Sequence, residues 1–185
     1  MKNLFPSLPD APKLRDVFQR FPRTIRPLLE FHDRALRDDG PLSIGERELI
    51  AAYVSGLNAC QFCAGSHEVF ARAYGIDPDL MAAVLDDPDS AAIDARLRPL
   101  LSYVRKLTLE PSKMVESDAQ AVYDAGWSED ALFSAILVCG AFNLMNRIVE
   151  GTGCVLDETS LEPDTDGNLP KLERYGAVAD ALGLP

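Results

Sequence analysis

Two cysteines and a histidine fall within one short segment of this 185-residue sequence. Cys60 and Cys63 are separated by two residues, and His67 follows Cys63 by four positions. On an α-helix these offsets place both sulfurs and the imidazole along one face. A dithiol beside a group that titrates near neutral pH indicates thiol redox chemistry, in which the pair cycles between dithiol and disulfide.

The position of these residues relative to neighbouring helices bears on their reactivity. If a helix begins near Cys60, both thiols lie close to its start, where unpaired amides and the helix dipole favour thiolate over thiol. A protonated His67 would act in the same direction. Glu48, on the preceding predicted helix, is followed by the small residues Ala51 and Ala52, which let another helix approach. A carboxylate there could hold His67 in one tautomer or relay a proton.

The spacing of these four residues resembles that of a known family. The AhpD-like alkylhydroperoxidases of the carboxymuconolactone decarboxylase superfamily share the pattern of Glu48, eleven residues, Cys60, two residues, Cys63, three residues and His67. The surrounding text, LSIGERELIAAYVSGLNACQFCAGSH, is similar to the branch of peroxidase-related enzymes, as are LLSYVRKLTLEP and FNLMNRIVEG further along. The resemblance implies an all-α, AhpD-like helical bundle of about seven to eight helices that forms a homo-oligomer.

The same resemblance implies a peroxidase reaction on organic hydroperoxides. By analogy, Cys63 attacks the peroxide and becomes a sulfenic acid, Cys60 resolves it as a disulfide, and Glu48 and His67 move protons. The implied partners are a hydroperoxide substrate and a dithiol reductant protein of lipoyl or thioredoxin-like type. One difference from the family is Phe62, which stands where well-studied members carry a histidine, so that one possible proton carrier is lost.

Other interpretations of the same residues remain open. The dithiol could serve a general disulfide reductase or a redox sensor, or two cysteines, His67 and Glu48 could together hold zinc in a binding module. A c-type haem is excluded because the histidine does not directly follow Cys63. The peroxidase interpretation requires neither a metal nor a cofactor.

Several further polar or sulfur-bearing residues receive weaker expectations. Cys139 and Cys154 are expected to be structural, and His32, on an apolar stripe, is expected to be a core histidine. Three residues on one face of a long apolar helix could line the pocket, cap neighbouring chain ends or form a contact between subunits: Asn143, Asn146 and Arg147.

The spacing of hydrophobic residues and the residues that start and stop helices predict the elements that position the site. A single domain over residues 1–185 is expected, with an extended arm at 1–12, the CxxC helices at 42–75, and an acidic loop with a terminal helix at 155–185. Ser43 and Glu46 fit a capping box at the start of one helix. The predicted helices run over 13–21, 24–39, 43–57, 60–74, 78–86, 92–109 with a late start or kink at Pro99, 115–125, 131–150 and 170–182.

The composition excludes several classes of partner. The net charge is −11, which disfavours phosphate backbones and anionic lipids, so neither nucleic acid nor membrane is expected as a partner. Apolar runs fall short of the ~20 residues of a membrane span, and the N-terminus does not resemble a secretory signal. A soluble, cytoplasmic protein is therefore expected. In that compartment a CxxC pair is expected to cycle between dithiol and disulfide and not to form a permanent structural disulfide. The proline-rich arm and the apolar 131–150 helix are compatible with a homo-oligomer.

Overall fold

The computed structural model describes residues 4–86 and 94–185 and confirms the all-α class. Within these ranges the chain forms nine α-helices and no strand. The helices are α1 (Leu14–Arg20), α2 (Ile25–Leu36), α3 (Ile44–Leu57), α4 (Gln61–Ala73), α5 (Pro78–Asp86), α6 (Leu97–Leu109), α7 (Glu116–Asp124), α8 (Glu129–Thr152) and α9 (Gly176–Ala181). Short 3₁₀ turns occupy Pro22–Thr24, Pro111–Lys113 and Glu158–Leu161.

Helix α3 lies at the centre of the bundle and packs against α2, α4, α5, α6 and α8. Its residues are apolar on nearly every side, which is the pattern of a helix enclosed by others. The predicted capping box starts it: the Ser43 N–H donates to Glu46 at 2.7 Å, and the Glu46 N–H donates to Ser43 Oγ at 3.2 Å. This central position buries Glu48 completely.

Helix α8 contributes the second large part of the core. Ser128 caps it by accepting from the Ala131 N–H at 3.2 Å, and Gly153 ends it with a positive φ of 71°. The helix is long and apolar enough to span a membrane, contrary to the expectation from the sequence. Half of its most apolar window is buried inside the fold, however, and core helices of soluble proteins meet the same criterion.

Two predicted helices are shorter than their sequence patterns suggest. Helix α2 ends at Leu36 rather than 39, because the backbone leaves the helix at Arg37, whose side chain points inward. Helix α9 spans only Gly176–Ala181 rather than 170–182. Its start is set by Asp33, whose carboxylate accepts the N–H groups of Tyr175 and Gly176 at 2.5 and 2.8 Å.

The segments at the two ends of the chain meet over one side of the bundle. The Val155 N–H donates to Pro12 O at 2.9 Å, and Lys13 Nζ donates to Leu156 O at 3.1 Å. Residues 1–3 of the predicted arm, Pro88 as a helix stop, and the predicted start of the 92–109 helix at residues 92 and 93 lie outside the described residues. Helix α6 itself begins at Leu97, the late start that Pro99 suggested.

Candidate active site

A tight turn between α3 and α4 places the first cysteine at the beginning of α4. Ala59 adopts a φ of +55°, and the Cys60 N–H donates to Ser55 O at 2.9 Å. Cys60 is the N-cap residue of α4, and Cys63 is the third residue of the helix. Both sulfurs therefore lie at the positive end of the helix dipole, as the sequence predicts.

The two cysteines are free thiols in mutual contact, and their pKa values move in opposite directions. Hydrogen bonds from the Cys63 thiol and from the Cys63 N–H lower the pKa of Cys60, against the opposing effects of burial and of Glu150. Contact with Cys60 and burial raise the pKa of Cys63, and the Asn146 amide offsets this only in part. Two adjacent sulfurs do not both carry negative charge, so the expected preference for thiolate holds for Cys60 and not for Cys63.

Glu48 and His67 form a buried pair that joins α3 to α4. Nδ1 of His67 donates a hydrogen bond to Oε2 of Glu48, while Nη2 of Arg37 lies 2.6 Å from Oε1. Burial opposes ionisation of Glu48, but His67 and Arg37 together hold its pKa below the ordinary value. Glu48 is thus an anion near neutral pH, and it fixes the proton of His67 on Nδ1. The other ring nitrogen, Nε2, is left to exchange a proton.

Arg37 is a part of this network that the sequence analysis missed. The backbone leaves α2 at this residue, and its Nε donates to Leu172 O at 2.7 Å. The guanidinium lies against the rings of Tyr74 and Tyr175, 5.1 and 5.0 Å from their centroids. The Tyr175 hydroxyl lies 3.4 Å from Glu48, and burial followed by the nearby carboxylate raises the pKa of this tyrosine. The periodicity of the 24–39 segment gave no sign that this arginine faces the core.

A mostly apolar cavity of about 530 Å³ opens beside the second cysteine. Cys63 and His67 both face it, whereas Cys60 is fully buried behind the turn. Residues 13–15 and 155–157 line part of the cavity, and the hydrogen bond from the Val155 N–H to Pro12 O holds these two segments together. Its apolar walls include Leu14, Phe18, Phe62, Phe70, Met145 and Leu172. A cavity of this size suits a small, largely apolar ligand.

Polar residues of α8 form hydrogen bonds beside the dithiol. Asn146, only 2% exposed, donates to Ser55 Oγ at 3.0 Å, accepts from Asn58 at 2.9 Å and contacts Cys63. Asn143 also accepts from Asn58, at 3.2 Å, and Arg147 donates to Asn143 Oδ1 at 3.0 Å. Asn143 and Asn146 thus tie α8 to Asn58 at the end of α3, a role that the sequence analysis did not anticipate, and Arg147 bonds to Asn143 within α8.

The remaining cysteines and the second histidine differ in their surroundings. Cys139 is buried in the core and shares a hydrogen bond with Thr108 at 3.3 Å, whereas Cys154 packs against the small buried cluster of Cys60, Cys63 and Val149. His32 is 2% exposed and its Nδ1 donates to Leu28 O at 2.7 Å. Burial lowers the pKa of His32, as is typical of a core histidine.

The zinc interpretation can be compared with the donor geometry. Across residues 4–86 and 94–185, no group of three or more His, Cys, Asp and Glu side chains is arranged to hold a metal ion. Glu48 and His67 are bonded to each other, and Arg37 occupies the other oxygen of Glu48. The four residues do not converge as one ligand set.

Comparison with known proteins identifies relatives of this fold. Residues 22–106 match the model of the carboxymuconolactone decarboxylase family. A peroxidase-related protein of Ralstonia eutropha JMP134, described as an alkylhydroperoxidase AhpD core, is 27% identical with a TM-score of 0.74, covering 84% of this chain and 80% of that chain. A peroxidase-related protein of Silicibacter sp. TM1040 is 23% identical with a TM-score of 0.71, covering 84% and 78%. No curated protein sequence gives a significant match.

Proposed function

We propose that this chain, whose residues 22–106 match the carboxymuconolactone decarboxylase family, is an AhpD-like thiol peroxidase that reduces organic hydroperoxides. The observation that carries the proposal is the joint exposure of Cys63 and His67 to one apolar cavity, with Cys60 in contact behind Cys63. The cavity admits an apolar peroxide, and the two sulfurs supply two electrons. His67 provides a proton carrier held in one orientation by Glu48.

The reaction begins at the sulfur that faces the cavity. The proton between the two sulfurs moves to Cys60, and the Cys63 thiolate attacks the terminal peroxide oxygen. The O–O bond breaks, Cys63 becomes a sulfenic acid, and Nε2 of His67, which has taken up the proton lost by the dithiol, passes that proton to the leaving alkoxide. Cys60 then attacks the Cys63 sulfur and releases water. Overall, one dithiol and one hydroperoxide give one disulfide, one alcohol and one water.

The burial of the dithiol favours this reaction over general disulfide reduction. Cys60 is 0% exposed and Cys63 is 3% exposed. A small peroxide can enter the cavity and reach Cys63 directly, whereas a folded protein, whether a disulfide substrate or a dithiol reductant, does not reach sulfurs at this depth without a more exposed group between them. Because such a cycle needs a reducing environment to restore the dithiol, we place the protein in the cytoplasm. The reductant is a dithiol of lipoyl or thioredoxin-like type.

We also propose a homo-oligomer, on the basis of one exposed face of α8. Phe133 and Leu144, eleven residues apart on the same face, are 59% and 46% exposed. If a second copy covers this face, Phe133→Lys lowers the mass measured by size-exclusion chromatography with light scattering. Leu109→Lys, at a similarly exposed site on α6, is the matched control. An unchanged mass in Phe133→Lys contradicts the proposed interface.

The peroxidase proposal is tested by mass spectrometry on the reduced protein. Addition of one equivalent of cumene hydroperoxide removes two hydrogens from the intact protein, and at least one cysteine of the tryptic peptide of residues 48–72, which contains both cysteines of the pair, enters a disulfide. The Cys63→Ser variant does not form this disulfide. Failure of the natural protein to lose two hydrogens under these conditions contradicts the peroxidase proposal, and stoichiometric zinc in protein purified without added metal would favour the binding module instead.

A further inference from the structure

A third cysteine lies against the CxxC pair. Cys154 contacts the small buried cluster formed by Cys60, Cys63 and Val149, although more than ninety residues separate it from the pair along the chain. Its backbone is fixed immediately after α8: its N–H donates to Val149 O at 3.1 Å, across the left-handed turn at Gly153. The end of α8 thus places a third thiol beside the cluster that contains the dithiol.

The three sulfurs differ in their access to solvent. Cys60 is fully buried and Cys63 faces only the interior cavity, but Cys154 is partly exposed. A small peroxide can reach Cys63 through the cavity. A protein reductant must instead form a mixed disulfide, which requires a sulfur near the surface. Among these three, Cys154 is the one placed for that contact.

The charges around Cys154 keep it from competing for the peroxide. Burial raises the pKa of Cys154, and the negative groups Asp16, Cys60 and Glu150 act in the same direction, while Thr152 opposes them by a hydrogen bond at 3.3 Å. In the dithiol state, therefore, Cys154 is a protonated, weak nucleophile. Once Cys60 is held in a disulfide it no longer carries charge, and Cys154 ionises more readily. Formation of the disulfide thus removes one of the negative charges that raise the pKa of Cys154, while burial, the largest cause, is unchanged.

We propose that Cys154 takes over the disulfide from the CxxC pair and presents it to a protein reductant. The Cys154 thiolate attacks Sγ of Cys60, the Cys60–Cys63 bond breaks, and its electron pair and a proton go to Cys63. The products are a Cys60–Cys154 disulfide and a Cys63 thiol, with no additional oxidant. This inference rests on the proposed peroxidase function for the origin of the first disulfide, although the exchange itself does not depend on the oxidant.

Tryptic peptides separate the cysteines for a direct test. Cys60 and Cys63 lie in residues 48–72, Cys154 lies in 148–171, and Cys139 lies alone in 114–147. After oxidation by cumene hydroperoxide, acid quenching and alkylation, we expect a disulfide linking 48–72 to 148–171, with 114–147 fully alkylated. In Cys63→Ser, the dithiol oxidant diamide gives the same link through Cys60. Cleavage after Phe62 identifies which cysteine of the pair is joined.

The reductive step supplies the second readout. In Cys154→Ser we expect reduction of the Cys60–Cys63 disulfide by thioredoxin to slow by about tenfold or more, with reduction by dithiothreitol unchanged. Cys139→Ser is the matched control and retains the natural rate with both reductants.

The inference is overturned if neither the natural protein nor Cys63→Ser forms the link between the two peptides. It is also overturned if thioredoxin reduces the disulfide of Cys154→Ser at the natural rate. Formation of the link by diamide but no reaction with peroxide would instead contradict the peroxidase function and leave the exchange supported.

Discussion

Glu48 on α3 accepts a hydrogen bond from Nδ1 of His67 on α4, and no part of the Glu48 side chain is exposed. The second oxygen of the same carboxylate is paired with Arg37. The imidazole is therefore anchored on one side by a buried anion while its ring faces the cavity on the other. This anchoring holds the His67 ring in one orientation, as the proposed role of proton carrier requires.

Replacement of His67 tests its proposed role, because the chain has only one other histidine. In His67→Gln we expect the rate of peroxide-dependent disulfide formation to fall by about 10²-fold or more, the range of a lost general acid–base group. His32→Gln is the matched control, since His32 borders the same cavity but bonds to Leu28 O. Stopped-flow measurement of the oxidation step gives this rate for both variants. Equal decreases of the rate in His67→Gln and His32→Gln would assign the effect to packing and not to proton transfer.

The depressed pKa of Glu48 makes a prediction about acid stability. The carboxylate stabilises the folded state above its unfolded pKa of about 4.5, and this contribution is lost as the pH falls toward the lower pKa of the folded protein. In Glu48→Gln, Arg37 loses its buried partner, which we expect to cost about 3 to 5 kcal/mol at pH 7.

Urea unfolding at pH 7, 5, 4 and 3 measures the free energy of unfolding of both proteins. The difference in the free energy of unfolding between the natural protein and Glu48→Gln should decrease as the pH falls below 4.5. A constant difference across this range would show that the Glu48 charge does not provide the stabilisation.

The cysteine pair predicts a specific change in thiolate titration. The largest cause of the low pKa of Cys60 is its hydrogen bond with Cys63. Thiolate absorbance at ultraviolet wavelengths should therefore show the first ionisation of the natural protein below the ordinary thiol value. The pH of this first ionisation should rise in Cys63→Ala, because the thiol that donates a hydrogen bond to Cys60 is removed. In Cys60→Ala, Cys63 should ionise more readily, since its main opposing neighbour is gone.

Cys139→Ala is the control for this titration, because Cys139 lies in the core with Thr108 and Asn143. It should leave the first ionisation unchanged. If Cys63→Ala shows the same first ionisation as the natural protein, the contact between the two sulfurs does not determine their acidity.

Local signals were sufficient to predict much of the fold, and the reason is physical. The capping box of Ser43 and Glu46 and the serine cap of α8 depend only on residues within one helical turn, and both are present. These caps are encoded within short stretches of sequence, so that spacing alone reveals them. The pairing of Glu48 with His67, which lie 19 positions apart, was expected from the family resemblance and not from spacing alone.

The contacts that the sequence did not predict are all made between distant segments. Arg37 reaches Glu48 because the backbone leaves α2 early, and Cys154 packs against the cluster of Cys60, Cys63 and Val149 because α8 ends beside it. Periodicity assigns a face to a residue but does not say which other helix that face meets. Asn146 gave the one available signal, as an amide within an apolar helix, since a buried amide requires partners.

Phe62 provides the last prediction, because it lines the cavity between the two cysteines at the position where the family resemblance places a histidine. In Phe62→His a second proton carrier would face the bound peroxide, and we expect kcat/KM for cumene hydroperoxide to rise by up to about tenfold. Phe62→Leu is the matched control, since it keeps an apolar wall without a titratable group. The gain in Phe62→His should follow the ionisation of the new imidazole and disappear as the pH rises and the imidazole loses the proton that it would donate. An equal gain in both variants would indicate wider access to the cavity rather than proton transfer, and no gain in Phe62→His would mean that His67 alone supplies the proton.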